Sequence, residues 1–144
     1  MAHSELQIIV FLCNWCSYES ADAAGRAGLP YPHETKIVRV MCTGRIDPRF
    51  ILRAFKNGAD GVLVLGCRPG ECHYKEGNLH ARRRLVLMKK LVPQFGIEPE
   101  RLAYDWISAT DHRKLVEIID QVHELLTDLG PLGNTSQQGV AKWQ

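Results

Sequence analysis

Four short apolar runs punctuate the chain, and between them lie segments whose apolar residues recur at helical spacing. QIIVFLC ends at Cys13, KIVRVMC at Cys42 and DGVLVLGC at Cys67. Continuous runs rich in Ile and Val are how strands buried on both faces read. A fourth run, RLAYDWI, ends at Ile107. Ser17 to Ala27 predicts a short helix after the first run. Asp47-Pro48 is a cap and first-turn pair for a helix that turns Phe50, Ile51, Ala54 and Phe55 inward and stops at Gly58. Asn78 is the expected cap of the next helix, which buries Leu85, Met88, Leu91 and Val92 and ends at Gly96. Ser108-Ala-Thr-Asp111 reads as a capping box for a last helix carrying Leu115, Ile118, Ile119, Val122 and Leu126, closed by Gly130-Pro131.

Strand and helix therefore alternate four times. That order predicts an α/β fold: an open parallel sheet of about four strands, flavodoxin-like, with right-handed crossovers and helices on both faces. Residues 1–130 make up this domain. The stretch 131–144 is rich in Gly, Asn, Ser and Gln and has no periodicity, so it is expected to be a mobile or partner-docking tail, with Trp143 as its anchor.

Three of the four strands finish on a cysteine. In doubly wound sheets ligands bind beyond the carboxyl ends of the strands, where the strand order reverses. An order of 2-1-3-4 sets Cys13, Cys42 and Cys67 at neighbouring strand ends, about 4.8 Å apart from strand to strand. Cys16, in the loop after the first strand, and Cys72, in the loop after the third, complete a group of five thiols.

Composition narrows what such a group is for. The chain has 144 residues, 45% of them hydrophobic, and a net charge of +2. That suffices for one packed domain and lacks the concentrated basicity of a protein that binds nucleic acid. Its start has no signal-peptide pattern and no stretch approaches the length of a membrane span, so a cytoplasmic location with no membrane partner is expected. Structural disulfides are rare in a reducing cytosol, and an odd number of cysteines does not pair off, so metal binding or redox chemistry is the expectation.

Four thiolates in one pocket serve a structural zinc ion or an iron–sulfur cluster. CNWC is the one Cys-x2-Cys knuckle present, and zinc sites usually draw on two. The scattered spacing favours iron–sulfur without excluding zinc. CNWC between a strand and a helix also fits a thiol-disulfide pair, Cys13 with Cys16, which leaves three cysteines without a role. GCRPGECHYKEGN has neither phosphate-loop pattern, and a flavin phosphate is poorly served by the acidic stretch Ser17-Tyr-Glu-Ser20. His73 is read as a neighbour of the site rather than a ligand. Arg82, Arg83, Arg84, Lys89 and Lys90 make a basic helix face, either solvated or turned toward an acidic partner.

FLCNWCSYESAD, RVMCTGRIDP and GADGVLVLGCRPGECHYKEGN, followed by the basic helix, resemble the delta subunit of methyl-viologen-reducing hydrogenase, found with heterodisulfide reductase in methanogens and some sulfate reducers. The resemblance runs from about Ile8 to Leu126 and covers all five cysteines. It implies an electron-transfer subunit with one 2Fe-2S cluster. Such a subunit relays electrons from a hydrogenase, or a formate dehydrogenase in related assemblies, to the flavin subunit of heterodisulfide reductase, where electrons are bifurcated. Four of Cys13, Cys16, Cys42, Cys67 and Cys72 would hold the cluster. Cys13, Cys42, Cys67 and Cys72 are the expected ligands, with Cys16 as the extra thiol. Backbone N–H groups of Thr43-Gly44 and of Gly66 to Gly70, and the Arg45 or Arg68 side chain, are the expected surroundings that tune it.

Overall fold

The computed structural model describes residues 6–132. The tail from residue 133 onward, and with it Trp143, lies outside the described residues. Four strands, β1 (Ile8–Cys13), β2 (Thr35–Val40), β3 (Gly61–Cys67) and β4 (Leu102–Ile107), form one parallel sheet in the order β2-β1-β3-β4. The expected order is thus observed, with β1 and β3 at its centre.

Burial follows that order. Every residue of β3 is buried, and so is all of β1 apart from a half-buried Ile9. β2, an edge strand, alternates between half-buried and exposed positions, so its apolar run does not mark a strand covered on both faces. It also ends at Val40, and Cys42 lies two residues beyond it rather than at its end. There Cys42, in extended conformation, caps the short 3-10 turn Thr43–Arg45.

Helices α1 (Ser17–Arg26), α2 (Pro48–Lys56), α3 (Gly77–Leu91) and α4 (His112–Leu129) complete the fold. Residues of α2 and α3, among them Ile51, Phe55, Ala81, Leu85 and Met88, pack in one apolar core with Phe11, Val62, Val64 and Leu102 of the sheet. Ala24 of α1 and Leu115, Ile119 and Leu126 of α4 fill the other core with Val10, Leu12, Leu63 and Leu65. Alternate strand residues thereby feed opposite layers.

Asp47 caps α2 as expected, its carboxylate accepting from the Arg49 N–H at 2.8 Å. Asn78 does not cap α3. Glu76 holds that position, while Asn78 is the helix's second residue, buried, with its side chain turned back toward β3. α3 ends at Leu91, and a 3-10 segment, Val92–Phe95, carries the chain on to a left-handed Gly96. Asp111, not Ser108, stands at the N-cap position of α4; its side chain makes no bond to the helix N–H groups, and Asp111 Oδ2 instead accepts from the Ser108 N–H at 2.9 Å. Among the described residues no helix is long and apolar enough to cross a membrane.

Candidate metal centre

All five cysteines are unpaired, and they fall into two groups near the carboxyl ends of the strands. The thiols of Cys13, Cys16 and Cys67 lie within 4.8 Å of one another, all buried, and form a small cluster of their own against which Cys72 packs. Within it Cys13 Sγ and Cys67 Sγ are 3.5 Å apart. The second group is Cys42 and Cys72, half-buried, with sulfurs 3.9 Å apart.

Two thiolates on one tetrahedral metal, each about 2.3 Å from it, stand about 3.8 Å apart. Both pairs already have that span. Cys16, the expected extra thiol, is not set apart: it sits with Cys13 and Cys67.

The backbone explains how sulfurs come so close. β1 and β3 are neighbours, so their terminal residues Cys13 and Cys67 meet directly. Gly66 makes room beside them, since a Cβ there would fall 2.7 Å from the Trp106 ring and 3.0 Å from the Thr43 side chain. For the other pair, Gly44 and Gly77 press together: a Cβ on Gly44 would meet the Gly77 backbone at 3.0 Å. A Cβ on Gly77 would fall 2.1 Å from Cys42 Sγ and 3.5 Å from Cys72 Sγ. Both sulfurs therefore rest against the first turn of α3, where helix backbone N–H groups favour negative charge.

Donors surround the sulfurs. The Gly44 N–H, in the Thr43-Gly44 turn, donates to Cys42 Sγ at 3.4 Å. Ser17, the first residue of α1, sends its N–H to Cys13 Sγ at 3.4 Å, and its hydroxyl lies 3.3 Å from the same sulfur. Among the described contacts no thiol is reached from the Gly66 to Gly70 amides. Nor do the arginines reach one: Arg45 lies over the Phe50 ring and Arg68 pairs with Asp111.

The charge pattern follows these contacts. Cys13 is lowered to about 5, first by the hydrogen bond from Cys67 and then, against burial, by the Ser17 hydroxyl and nearby amides. Cys67 is pushed up, by holding the proton it shares with Cys13 and by burial. Burial raises Cys16 and Cys42.

Two further contacts were not legible in the sequence. Asn78 Nδ2 donates to the carbonyls of Cys67 (2.9 Å) and Arg68 (3.0 Å), tying α3 to the exit of β3. Across the pocket Trp15, from the CNWC loop, stacks on His73, beside Cys72, with ring centroids 3.8 Å apart and planes within 14°. Trp15 Nε1 also donates to the Tyr74 hydroxyl. His73 thus lies beside the pocket in contact with Trp15. On α3, Arg84 donates to the Gly44 and Ile46 carbonyls and Lys89 lies over the Tyr104 ring, so only part of the basic face is left to solvent. A groove of about 630 Å³ lies between α2 and the turn at Phe95 and Ile97, and no cysteine lines it.

A family model described as methyl-viologen-reducing hydrogenase, delta subunit, matches residues 8–130. The chain belongs to this family. It is 48% identical over 127 residues to the iron-sulfur subunit of the F420-non-reducing hydrogenase of Archaeoglobus profundus, covering 88% of this chain and 93% of that protein. The iron-sulfur subunit of the vhc F420-non-reducing hydrogenase of Methanococcus voltae is 45% identical over 127 residues, 88% of each chain. A different kind of relative comes from the ferredoxin/F(420)H(2)-dependent CoB-CoM heterodisulfide reductase of Methanosarcina acetivorans, one subunit of which is 42% identical over 134 residues. That match takes in 93% of this chain but 17% of the larger protein. Delta-subunit sequence thus occurs both as a free-standing chain and as a segment of a larger reductase subunit.

Proposed function

We propose that this delta-subunit chain is an electron-transfer subunit that holds one 2Fe-2S cluster in the five-cysteine pocket. It relays single electrons from a hydrogenase, or a formate dehydrogenase in a related assembly, to the flavin-containing subunit of heterodisulfide reductase in an electron-bifurcating complex.

The observation that carries this reading is the division of the thiols into two neighbouring groups, each holding a close pair, Cys13 with Cys67 at 3.5 Å beside Cys16, and Cys42 with Cys72 at 3.9 Å. Each pair has the span of two ligands on one tetrahedral ion, and Cys72 packs against the first group, so the two pairs lie side by side. Two ions side by side suit this arrangement better than one zinc at the centre of four equidistant sulfurs. Cys13 and Cys67 would serve one iron and Cys42 and Cys72 the other, with Cys16 as the extra thiol beside the first. The relatives, one named as an iron–sulfur subunit of a hydrogenase and one as part of heterodisulfide reductase, support both cofactor class and partners. Where one polypeptide carries both parts, the two need to be close for electrons to cross.

When bound, the cluster supplies one-electron storage at a potential set by its surroundings. The chain's own residues do the rest. Buried Cys13 and Cys67 shield one side from water, the Gly44, Cys16 and Ser17 amides offset negative charge on sulfur, and the half-buried Cys42 and Cys72 face the surface through which electrons pass. No general acid, base or substrate pocket is required.

The test is electron delivery. The anaerobically reduced chain, mixed with purified heterodisulfide reductase flavin subunit, should bleach the flavin absorbance in proportion to chain added, and the Cys42→Ser chain should not. Flavin reduction that proceeds equally with both would contradict the reading.

A further inference from the structure

Ser17 is fully buried, and its hydroxyl has one hydrogen and more than one place to put it. The oxygen accepts from the Cys13 N–H at 2.7 Å, which fixes its position. The hydrogen then has the Leu65 carbonyl at 2.7 Å and Cys13 Sγ at 3.3 Å, with the Cys13 carbonyl also at 3.3 Å. Leu65 O is the nearest acceptor. It is also a neutral one, whereas Cys13 Sγ gains negative charge whenever the group it holds takes up an electron. Hydrogen bonds to charged acceptors are about twice as strong as neutral ones. The amides of Cys16 and Ser17 that face this sulfur are fixed by the backbone, but a hydroxyl turns about a single bond.

We propose that the Ser17 hydroxyl is a two-position hydrogen-bond donor: it rests on Leu65 O in the oxidised state and swings to Cys13 Sγ in the reduced state, raising the reduction potential of the centre. This rests on the cluster reading above. The step is a one-electron reduction in which the electron comes from the donor protein and no proton is taken up. The serine O–H bond stays intact; a hydrogen bond to Leu65 O is exchanged for one to sulfur. Ser17 is accordingly a positioning residue that acts through Cys13.

The experiment is a redox titration of the full chain with dithionite, followed by EPR, in wild type, Ser17→Ala and Ser17→Thr, with iron and sulfide measured on the same samples. At the wild-type midpoint, Ser17→Ala should show a reduced-to-oxidised ratio about tenfold lower, equivalent to 59 mV for one electron. Ser17→Thr, which keeps a hydroxyl, should recover most of the loss, and the dependence of midpoint on pH should not change. Where Ser17→Ala takes up no iron, Ser17→Gly replaces it as the variant without a hydroxyl. Full iron content with an unchanged midpoint in the hydroxyl-free variant overturns the role of Ser17 alone. A wild-type chain without iron and sulfide overturns the cluster reading itself.

Discussion

The Cβ that Gly77 lacks would lie 2.1 Å from Cys42 Sγ. Cys42 thus occupies the room left by a missing side chain at the start of α3, and the sulfur sits against the end of the helix that attracts negative charge. Alanine is ordinarily the better helix former by about 1 kcal/mol in a helix interior. Here the sign should reverse. Gly77→Ala forces Cys42 or the helix to move, a cost of about 1–3 kcal/mol by comparison with overpacked cores, and iron content should fall below half that of wild type. Thermal unfolding together with iron analysis checks both.

Asn78 should behave as a strut rather than a cap. Its amide serves the Cys67 and Arg68 carbonyls, and Asn78→Ala takes this donor from the buried Cys67 carbonyl, while the Arg68 carbonyl keeps the Glu71 N–H. The expected loss is about 1–3 kcal/mol of unfolding free energy in denaturant titration. Asn78→Asp, which offers the carbonyls a carboxylate instead of a donor, should be at least as costly. Equal stability of all three chains would remove Asn78 from the account.

Trp15 and His73 clasp the CNWC loop to the loop that carries Cys72. A stacked aromatic pair contributes about 0.5–1.5 kcal/mol beyond its buried area. Trp15→Ala and His73→Ala should each leave the melting temperature nearly unchanged yet speed loss of visible colour in chelator. The double variant should lose colour no faster than the worse single one, because both remove the same contact. Additive rates would mean that the stack does not hold the loops.

The cysteines themselves differ in expected role. Ser substitution at Cys13, Cys42, Cys67 or Cys72 should abolish or alter the EPR spectrum of the reduced chain, while Cys16→Ser should leave it nearly intact. Cys16 shares a buried group with Cys13 and Cys67, so it is also placed to take over when either is replaced. Cys13→Ser and Cys67→Ser should therefore retain more iron than Cys42→Ser or Cys72→Ser, and iron per chain across the five variants measures this. Equal tolerance at all five positions would contradict the assignment.

Much of the fold was legible in the chain itself. Alternating apolar runs and helical periods report burial directly, so the four strands, their parallel order and the meeting of Cys13 with Cys67 followed from pattern and topology. Cys42 was brought to the right end of the sheet but credited to β2, because Met41-Cys42 extends the apolar run past the last paired residue, Val40. What escaped depends on close approach between segments distant in sequence. Gly77 looks like loop glycine until the Cys42 turn is laid against it. Asn78 looks like a cap because capping and inward bonding use the same amide. Ser17 stood in a stretch compared with a flavin phosphate site, and its hydroxyl faces sulfur instead. Trp15 and His73 are 58 positions apart by subtraction of their numbers, and nothing in either neighbourhood signals the stack.

Anaerobic metal and sulfide analysis of the purified full chain, read with its EPR spectrum before and after dithionite, tests the central claim most directly. The account predicts about two irons and two acid-labile sulfides per chain, a brown solution, no signal when oxidised and a spin-half signal when reduced. A colourless chain holding stoichiometric zinc, or one that carries no metal and reduces disulfides through Cys13 and Cys16, would contradict it.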